Sequence, residues 1–355
     1  MAAKKRFAIG IDLGGTNLKG ILLDSDGGSH HLTRIPTQAS RGGAHVLERV
    51  VELTGMLLAK LGKNGAVVGV GIGTPGFVDG DGTVLGGAEN IPGWKGTQLY
   101  LPVRERFNLG AVAGNDVTVT ALAESRFGAG KGIANLVCLA LGTGIGGGII
   151  IDHKVYQGSH GMAGELGHIP VETSQGLACT CGQSGCVEQY ASAGGIVRNA
   201  KLLCVKAEGA ERTPFVKAVL ADPDAVTSKM VYEFVERGDS IALTVNEYCC
   251  SRLARAIGVC LNAFAPDRVI LGGGVMMAGR VIIDTVNRYL PSFCWQSIRE
   301  RCDIVQAQCG EDAGVLGAAA LAFDSFDTVV QQDHRSSGPA EGRCTSAAVG
   351  AGAAG

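Results

Sequence analysis

Residues Phe7–Asp24 read FAIGIDLGGTNLKGILLD. Residues alternate around Ile9 and Ile11, Gly14-Gly15 break the run, and Leu18–Asp24 resumes as a second apolar stretch. This pattern predicts a β-hairpin. Further on, Leu136–Leu141 is apolar, turns through Gly142-Thr143-Gly144 and returns along Gly148–Ile151. An apolar strand, a Gly/Thr turn and a second apolar strand therefore occur twice. Two copies of one layout predict a duplicated α/β fold with its ligand held between the copies.

The rest of the chain fills in this frame. Val46, Val50, Leu53, Leu57, Leu58 and Leu61 form one stripe, predicting a helix over Val46–Leu61, and Ala66–Gly71 resumes β character. Ala111–Ala113 reads as a short strand ending at Gly114-Asn115-Asp116, with a helix over Val117–Phe127. Ile241–Leu261 is helical by spacing, Pro266–Leu271 is a buried strand ending in Gly272-Gly273-Gly274, and an Ala-rich helix spans Ala313–Phe323.

At 355 residues the chain suits two domains, which makes the cleft between them the place to look for a ligand. The division read here is a small α/β domain over 1–115, a large one over 116–311 and a helix over 312–323 returning to the first. From Asp324 the chain is Ser, Gly, Ala and charge with hardly any apolar period, so 324–355 is expected to be a disordered tail.

Composition excludes several classes. Thirty-one basic against thirty-three acidic residues give a net charge of -2, and the longest basic run is Lys4-Lys5-Arg6, so neither nucleic acid nor an anionic membrane is expected as partner. The apolar runs fall well short of the ~20 residues a spanning helix needs. No signal peptide is read at the start, and a cytoplasmic location is expected. Twelve cysteines, all from Cys138 onward and unevenly spaced, argue against a disulfide framework. Fifty-five glycines cluster at the ends of apolar runs, where they are expected to let backbone approach a ligand.

Asp12-Leu13-Gly14-Gly15-Thr16-Asn17 places a carboxylate at a strand end, then two residues without side chains, then a hydroxyl. Such a turn can cradle phosphate on backbone N–H groups, with Asp12 holding Mg²⁺ directly or through water; Gly-Gly equally supports a plain hairpin turn. Gly142–Gly147 and Gly71–Gly76 both match the dinucleotide fingerprint G-x-G-x-x-G, but a β-like run follows the first and Pro75 interrupts the second where a helix should open. A clamp on phosphates explains the second turn better. Gly272–Gly274 is a third glycine site, which a strand-to-helix turn also explains.

Cys179, Cys181 and Cys186 lie within eight residues with Gly182 and Gly185 between them, and His168 stands eleven residues upstream. Together they can form a closed Cys₃His zinc site, against which free thiols are the weaker reading.

In this order the residues resemble the ROK family of sugar kinases and repressors, within the actin-like ATPase (ribonuclease H-like) superfamily. The motifs are Asp12-Leu13-Gly14-Gly15-Thr16, Gly73-Thr74-Pro75-Gly76, Asn90-Ile91-Pro92-Gly93-Trp94, Gly114-Asn115-Asp116, Leu141–Gly147, Glu165-Leu166-Gly167-His168 and Cys179-Thr180-Cys181-Gly182-Gln183-Ser184-Gly185-Cys186-Val187-Glu188, over about residues 7 to 323. The resemblance implies a duplicated actin-like fold, two domains around a cleft, and transfer of phosphate from ATP to a hexose, glucose foremost. It implies Asp116 as catalytic base and a sugar set of Gly76, Asn90, Asn115, Asp116, Glu165, His168 and Glu188. Its phosphate set would be Asp12, Gly14, Gly15, Thr16, Asn17, Lys19, Gly142, Thr143, Gly144, Gly273 and Gly274. By the same resemblance zinc is structural, His168 serves both zinc and sugar, and the protein is a homodimer or higher homo-oligomer.

Other readings stand beside these. Asp116 as a helix cap, Asn90 as a turn residue and Glu165 as an exposed loop charge are the plain alternatives. The donor could be polyphosphate, or the sugar fructose, N-acetylmannosamine or allose. A repressor carries a helix-turn-helix ahead of this body, for which a first strand near residue 7 leaves no room, and a pure sugar sensor is expected to have lost Asp116 or the phosphate turns.

Overall fold

The computed structural model describes residues 4–63, 65–88, 90–208 and 212–327. The first hairpin is β1 (Lys5–Leu13) and β2 (Asn17–Asp24), with Asp12 opposite Lys19 and Leu13 opposite Leu18. β3 (Ser29–Pro36) pairs antiparallel with β2, α1 (Gly43–Leu61) crosses over, and β4 (Gly65–Thr74) returns parallel to β1. A small ribbon of β5 (Phe77–Val78) and β6 (Val84–Gly86) and helix α2 (Tyr100–Phe107) follow. β7 (Ala111–Asn115) then completes a sheet ordered β3-β2-β1-β4-β7 and runs straight into α3 (Asp116–Phe127).

The layout repeats. β8 (Leu136–Leu141), β9 (Ile145–Ile151) and β10 (Lys154–Val155) are antiparallel neighbours. Helices α4 (Glu188–Ala191), α5 (Ala193–Lys206), α6 (Pro214–Ala221), α7 (Ser228–Glu236) and α8 (Ser240–Phe264) precede the parallel strand β11 (Arg268–Gly272). After α9 (Arg280–Tyr289) and α10 (Gln296–Arg299), β12 (Asp303–Gln306) ends the sheet and α11 (Ala313–Phe326) follows. The order β10-β9-β8-β11-β12 is the first sheet's order with every strand replaced by its counterpart. The likeness read from two hairpins thus extends to both whole sheets.

The helix that ends each copy has crossed to the other copy. α3 leaves the first sheet and packs on β8 and β9; α11 leaves the second and packs on β1 and β4; the two helices lie against each other. The approach is close enough to exclude side chains. A Cβ on Gly10 would lie 2.0 Å from the Val315 carbonyl oxygen, on Gly71 1.7 Å from that of Ala318, and on Gly317 1.7 Å from that of Val119. Part of the glycine enrichment therefore serves the packing of α11 on the first sheet and on α3, which corrects the expectation that it marks ligand turns.

Side chains of a strand alternate between faces. Phe7, Ile9, Ile11 and Leu13 accordingly meet the α1 stripe of Val46, Val50, Leu53, Leu57 and Leu61, whereas Ala8 joins Val315, Ala319 and Ala322 of α11. Truncating a fully buried member such as Leu53 to Ala costs about 2–5 kcal/mol. In the second half α8 supplies the centre, with Val245, Cys249, Leu253, Ile257 and Leu261 buried beside Val137, Leu139 and Val269.

Several sequence boundaries move. β9 begins at Ile145, so Gly146, Gly147 and Gly148 are strand residues opposite Ala140, Leu139 and Cys138. α8 is longer than Ile241–Leu261 at both ends. The ordered chain continues past Phe323 as well: α11 runs to Phe326, Arg126 holds Asp324 at 2.8 Å and Arg6 pairs with the buried Asp327. The rest of the expected tail, 328–355, lies outside the described residues. Among the described residues the cysteines are free thiols, mostly buried, and no helix is long and apolar enough to cross a membrane.

Candidate active site and metal centre

A cavity of 1200 Å³ opens between the two halves, lined by Gly76, Asn115 and Asp116 from one side and by Gly142, Thr143, Gly144, Glu165, His168, Cys181, Glu188 and Gly273 from the other. A smaller cavity of 570 Å³ lies by the C-terminal ends of α3 and α11, lined by Arg6, Arg126 and Asp324 among others, and contains none of the predicted site residues.

β7 delivers Asn115 and Asp116 to the cavity edge. The Val117 N–H donates to Asn115 Oδ1 at 3.0 Å, making Asn115 the N-cap of α3, and Asn115 Nδ2 donates to the Gly76 carbonyl at 3.4 Å. Asp116 occupies the first helical position and accepts from the same N–H at 2.9 Å. The cap expected of Asp116 is therefore Asn115's first of all. The Asp116 carboxylate presents surface to the cavity, but protein crowds its remaining sides. That desolvation raises its pKa above the ordinary Asp value, opposed by the Val117 N–H.

The first glycine turn is closed by Gly14 N–H donating to Asn17 O at 3.2 Å and is tied down from β3's end. There the fully buried Thr37 donates its hydroxyl to Gly14 O at 2.6 Å and its N–H to Thr16 O at 2.9 Å. Asp12 lies under the first turn of α11, where a Cβ on Gly314 would fall 2.6 Å from the Asp12 carboxyl carbon. Burial raises the Asp12 pKa, Lys19 lowers it and Asp116 raises it, which places both of those groups within electrostatic reach of Asp12. Lys19, of the expected phosphate set, donates its ammonium to the Glu311 carbonyl at 2.8 Å, just ahead of α11. Asn90 is exposed and lies by the first glycine turn, its amide nitrogen 3.8 Å from where a Cβ of Gly15 would be.

The second turn is held differently. Gly142 N–H donates to Gly144 O at 2.9 Å, Ala193 N–H at the start of α5 donates to Gly142 O at 2.8 Å, and Ile145 N–H donates to Glu188 Oε2 at 2.9 Å. Gly273, with φ +86°, abuts the end of β8, its would-be Cβ 2.4 Å from Leu141 O, and Gly274 opens the 3₁₀ turn Gly274–Ala278.

Glu165 precedes the short 3₁₀ turn Leu166–His168, and His168 ends it. His168 is two-sided: Nε2 lies 3.7 Å from Glu165 Oε2, and Nδ1 lies 3.5 Å from Cys179 Sγ. Burial raises the Glu165 pKa; His168 lowers it, and Asp116 and Glu188 raise it, so Glu165 belongs to the cavity's charge set rather than to a detached loop. Cys181 and Cys186 sulfurs are 3.6 Å apart, and the ligand atoms of His168, Cys179, Cys181 and Cys186 all lie within 4.8 Å of one another. A zinc tetrahedron with Zn–S bonds of ~2.3 Å has edges of about 3.8 Å, so the four donors fit such an ion. Burial pushes the Cys179 thiol up, but hydrogen bonds from the Cys181 backbone, Cys181 thiol and Gln189 outweigh it and bring the pKa to about 7. Burial and the neighbouring thiols push Cys186 up to about 12. The loop closes because Cys179 N–H donates to Gln183 O and Gly182 N–H to Cys179 O, while Gly185, with φ +83°, passes too near Glu172 O for any side chain.

Sequence reasoning missed Thr37, Gly314 and Gln189. Gln189 Nε2 donates to Cys179 Sγ at 3.3 Å and is itself held by Arg198. None of the three stands in a motif spacing that singles it out.

The profile of the ROK family matches residues 8–325. A glucokinase of Streptomyces coelicolor is 34% identical over 324 residues, 88% of this chain and 96% of that protein. A xylose repressor of Bacillus spizizenii is 22% identical over 92% of the chain and 80% of the repressor. Among solved structures, a ROK family glucokinase from Streptomyces griseus in complex with glucose and AMPPNP superposes with a TM-score of 0.69 at 31% identity, covering 90% of this chain and 99% of that one. The duplicated architecture is shared with it, and the fold is that of the actin-like ATPases.

Proposed function

The chain belongs to the ROK family, and from that premise we propose that it transfers the γ-phosphoryl group of ATP to the 6-hydroxyl of a hexose, foremost glucose. The observation that carries this reading is Asp116, a carboxylate facing a cavity that Glu165, His168 and Glu188 also line, with the second glycine turn on its rim. A sugar hydroxyl both donates and accepts, and amides and carboxylates together satisfy both demands.

In this reading Asn115, Glu165, His168 and Glu188 orient the sugar so that its 6-hydroxyl faces Asp116. The bond from that oxygen to the γ-phosphorus forms, the bond from phosphorus to the β,γ-bridging oxygen breaks, the hydroxyl proton goes to Asp116 and ADP leaves. In this reading backbone N–H groups of the two glycine turns would hold the phosphates, and the Asp12 carboxylate would hold Mg²⁺ directly or through water. Such an ion, when bound, neutralises charge on the phosphates. Zinc on His168, Cys179, Cys181 and Cys186 would have no open coordination position and would serve to hold the loop bearing Glu165, His168 and Glu188. The glucokinase relative and the glucose and AMPPNP complex support hexose and ATP as substrates.

The test is a coupled assay of the purified protein with glucose, fructose, N-acetylmannosamine and allose, each with ATP and with polyphosphate. Glucose with ATP is expected to give the highest kcat/KM. Glucose binding without turnover from either donor would replace the kinase with a sugar sensor, and faster turnover with polyphosphate would reassign the donor.

A further inference from the structure

Glu188 enters the reading above as one of several sugar contacts, yet its observed hydrogen bond goes elsewhere. Its Oε2 accepts from the backbone N–H of Ile145, the first residue after the second glycine turn, at 2.9 Å. The contact shapes the turn itself: a Cβ on Gly144 would lie 2.3 Å from that oxygen, so Gly144 makes room for the carboxylate. A few residues on, Ala193 N–H donates to Gly142 O at 2.8 Å, so the segment from Glu188 to Ala193 grips the turn at both ends. The other carboxylate oxygen makes no hydrogen bond among the described residues, and the side chain lines the cavity.

Resting on the hexose-kinase reading, we propose that Glu188 is a two-ended positioning residue, one oxygen fixing the second phosphate turn through Ile145 N–H while the other meets the sugar. One side chain then sets both subsites. The turn's shape before any sugar arrives depends on Glu188, and a sugar that pulls on the free oxygen acts on the same carboxylate that holds the turn. A hydrogen bond to a charged acceptor is the stronger kind, and its loss would leave the Ile145 N–H pointing at an empty space.

The experiment compares wild type, Glu188→Gln and Glu188→Ala by calorimetry with AMP-PNP and Mg²⁺ in the absence of sugar, and separately with glucose in the absence of nucleotide. Glu188→Ala is expected to weaken AMP-PNP binding about tenfold or more. Glu188→Gln keeps an oxygen for Ile145 N–H, so its AMP-PNP affinity stays within about threefold of wild type while glucose affinity falls. Gly144→Ala retains Glu188 but drives a methyl into it, and is expected to lose nucleotide affinity like Glu188→Ala. Hydrogen exchange at the Ile145 amide, read on the ligand-free protein, should quicken in Glu188→Ala and not in Glu188→Gln. Unchanged AMP-PNP affinity in Glu188→Ala with glucose binding lost overturns the proposal and leaves the kinase reading intact; so does an equal loss in Glu188→Gln and Glu188→Ala. A wild type that binds glucose but no nucleotide overturns the kinase reading and the nucleotide role together. The exchange readout still decides whether Glu188 holds the turn: unaltered Ile145 exchange in Glu188→Ala overturns that tether.

Discussion

The two hairpins share strand order, turn chemistry and a place at the middle of their sheets, and they differ in where the charge sits. On the first, the strand carries the carboxylate: Asp12 faces Lys19 across the ladder and lies beneath Gly314, the second residue of α11. On the second, the corresponding pair by distance from the turn is Ala140 and Gly146, and a Cβ on Gly146 would strike Val117, the second residue of α3, at 2.3 Å. The carboxylate there belongs to the helix, as Asp116 beside Val117. Duplication repeated the backbone; the acid moved from strand to helix. The first hairpin can thereby offer a carboxylate of its own to a phosphate-bound cation, while the second has one for a hydroxyl only from α3, the helix that crosses to it from the first copy.

Removing the helix-borne acid should have the largest effect. Asp116→Asn keeps the shape and leaves the Asn115 cap in place, but takes away the proton acceptor. Turnover is expected to fall by roughly 10²–10⁴-fold, with glucose affinity much less affected. Steady-state kcat beside calorimetric glucose binding checks this. A kcat within a few-fold of wild type in folded protein would mean that the acid on α3 is not the base, and the contrast between the halves would lose its chemical meaning.

Disturbing the strand-borne acid comes next. Gly314→Ala puts a methyl 2.6 Å from the Asp12 carboxyl carbon, which must then shift. A displacement on the order of 1 Å at a positioning group costs about 10²-fold; with some relaxation, a loss of about 10–100-fold in kcat/KM for MgATP is expected, with glucose binding unchanged. The check is a titration of Mg²⁺ and ATP at saturating glucose. A Gly314→Ala enzyme with normal Mg²⁺ response would show that Asp12 plays no part in holding the cation.

The difference between the halves also explains what could be read from sequence alone. The duplication was legible because each hairpin is a local pattern of apolar run, glycines and apolar run. The Cys₃His set was legible because its three cysteines are close in sequence and glycines mark the fold-back. Gly314, Thr37 and Glu188's second role were not, because each acts across long sequence separations: Gly314 meets Asp12 only because α11 crosses to the first sheet, and Glu188 meets Ile145 only through the placement of α4. The contact of Lys19 was hidden for the same reason, since its partner carbonyl at Glu311 lies at the far end of the chain. Gly10 and Gly71 are there because the backbone of a distant helix, α11, presses onto their strands, and Gly317 because α11 presses onto α3.

The smallest expected effect is on stability, and it separates the two acids by their surroundings. Desolvation raises the Asp116 pKa above its ordinary, unfolded value, so the folded chain binds that proton more tightly than the unfolded chain does. Linkage then gives the sign: an ionised Asp116 costs stability at neutral pH, and this cost disappears as pH falls through its folded pKa. The Val117 N–H works against the penalty but desolvation outweighs it; the α3 dipole also favours a negative charge at this position. Asn resembles the protonated form in size and charge, so Asp116→Asn should melt slightly above wild type at pH 7, by no more than about 2 °C given that the group faces solvent. That gap should close in acid, as the wild-type carboxyl takes up its proton. Asp12 and Glu165 share the same field and are raised by burial too, and each carries a partner that Asp116 lacks: Lys19 for Asp12 and His168 for Glu165. Their neutral variants should therefore show a smaller gap than Asp116→Asn. Thermal melts of the three variants from pH 4 to pH 8 decide it. A wild type more stable than Asp116→Asn at pH 7, or a gap that widens in acid, would show that the α3 dipole dominates over desolvation and that Asp116 rests in its ionised form without strain.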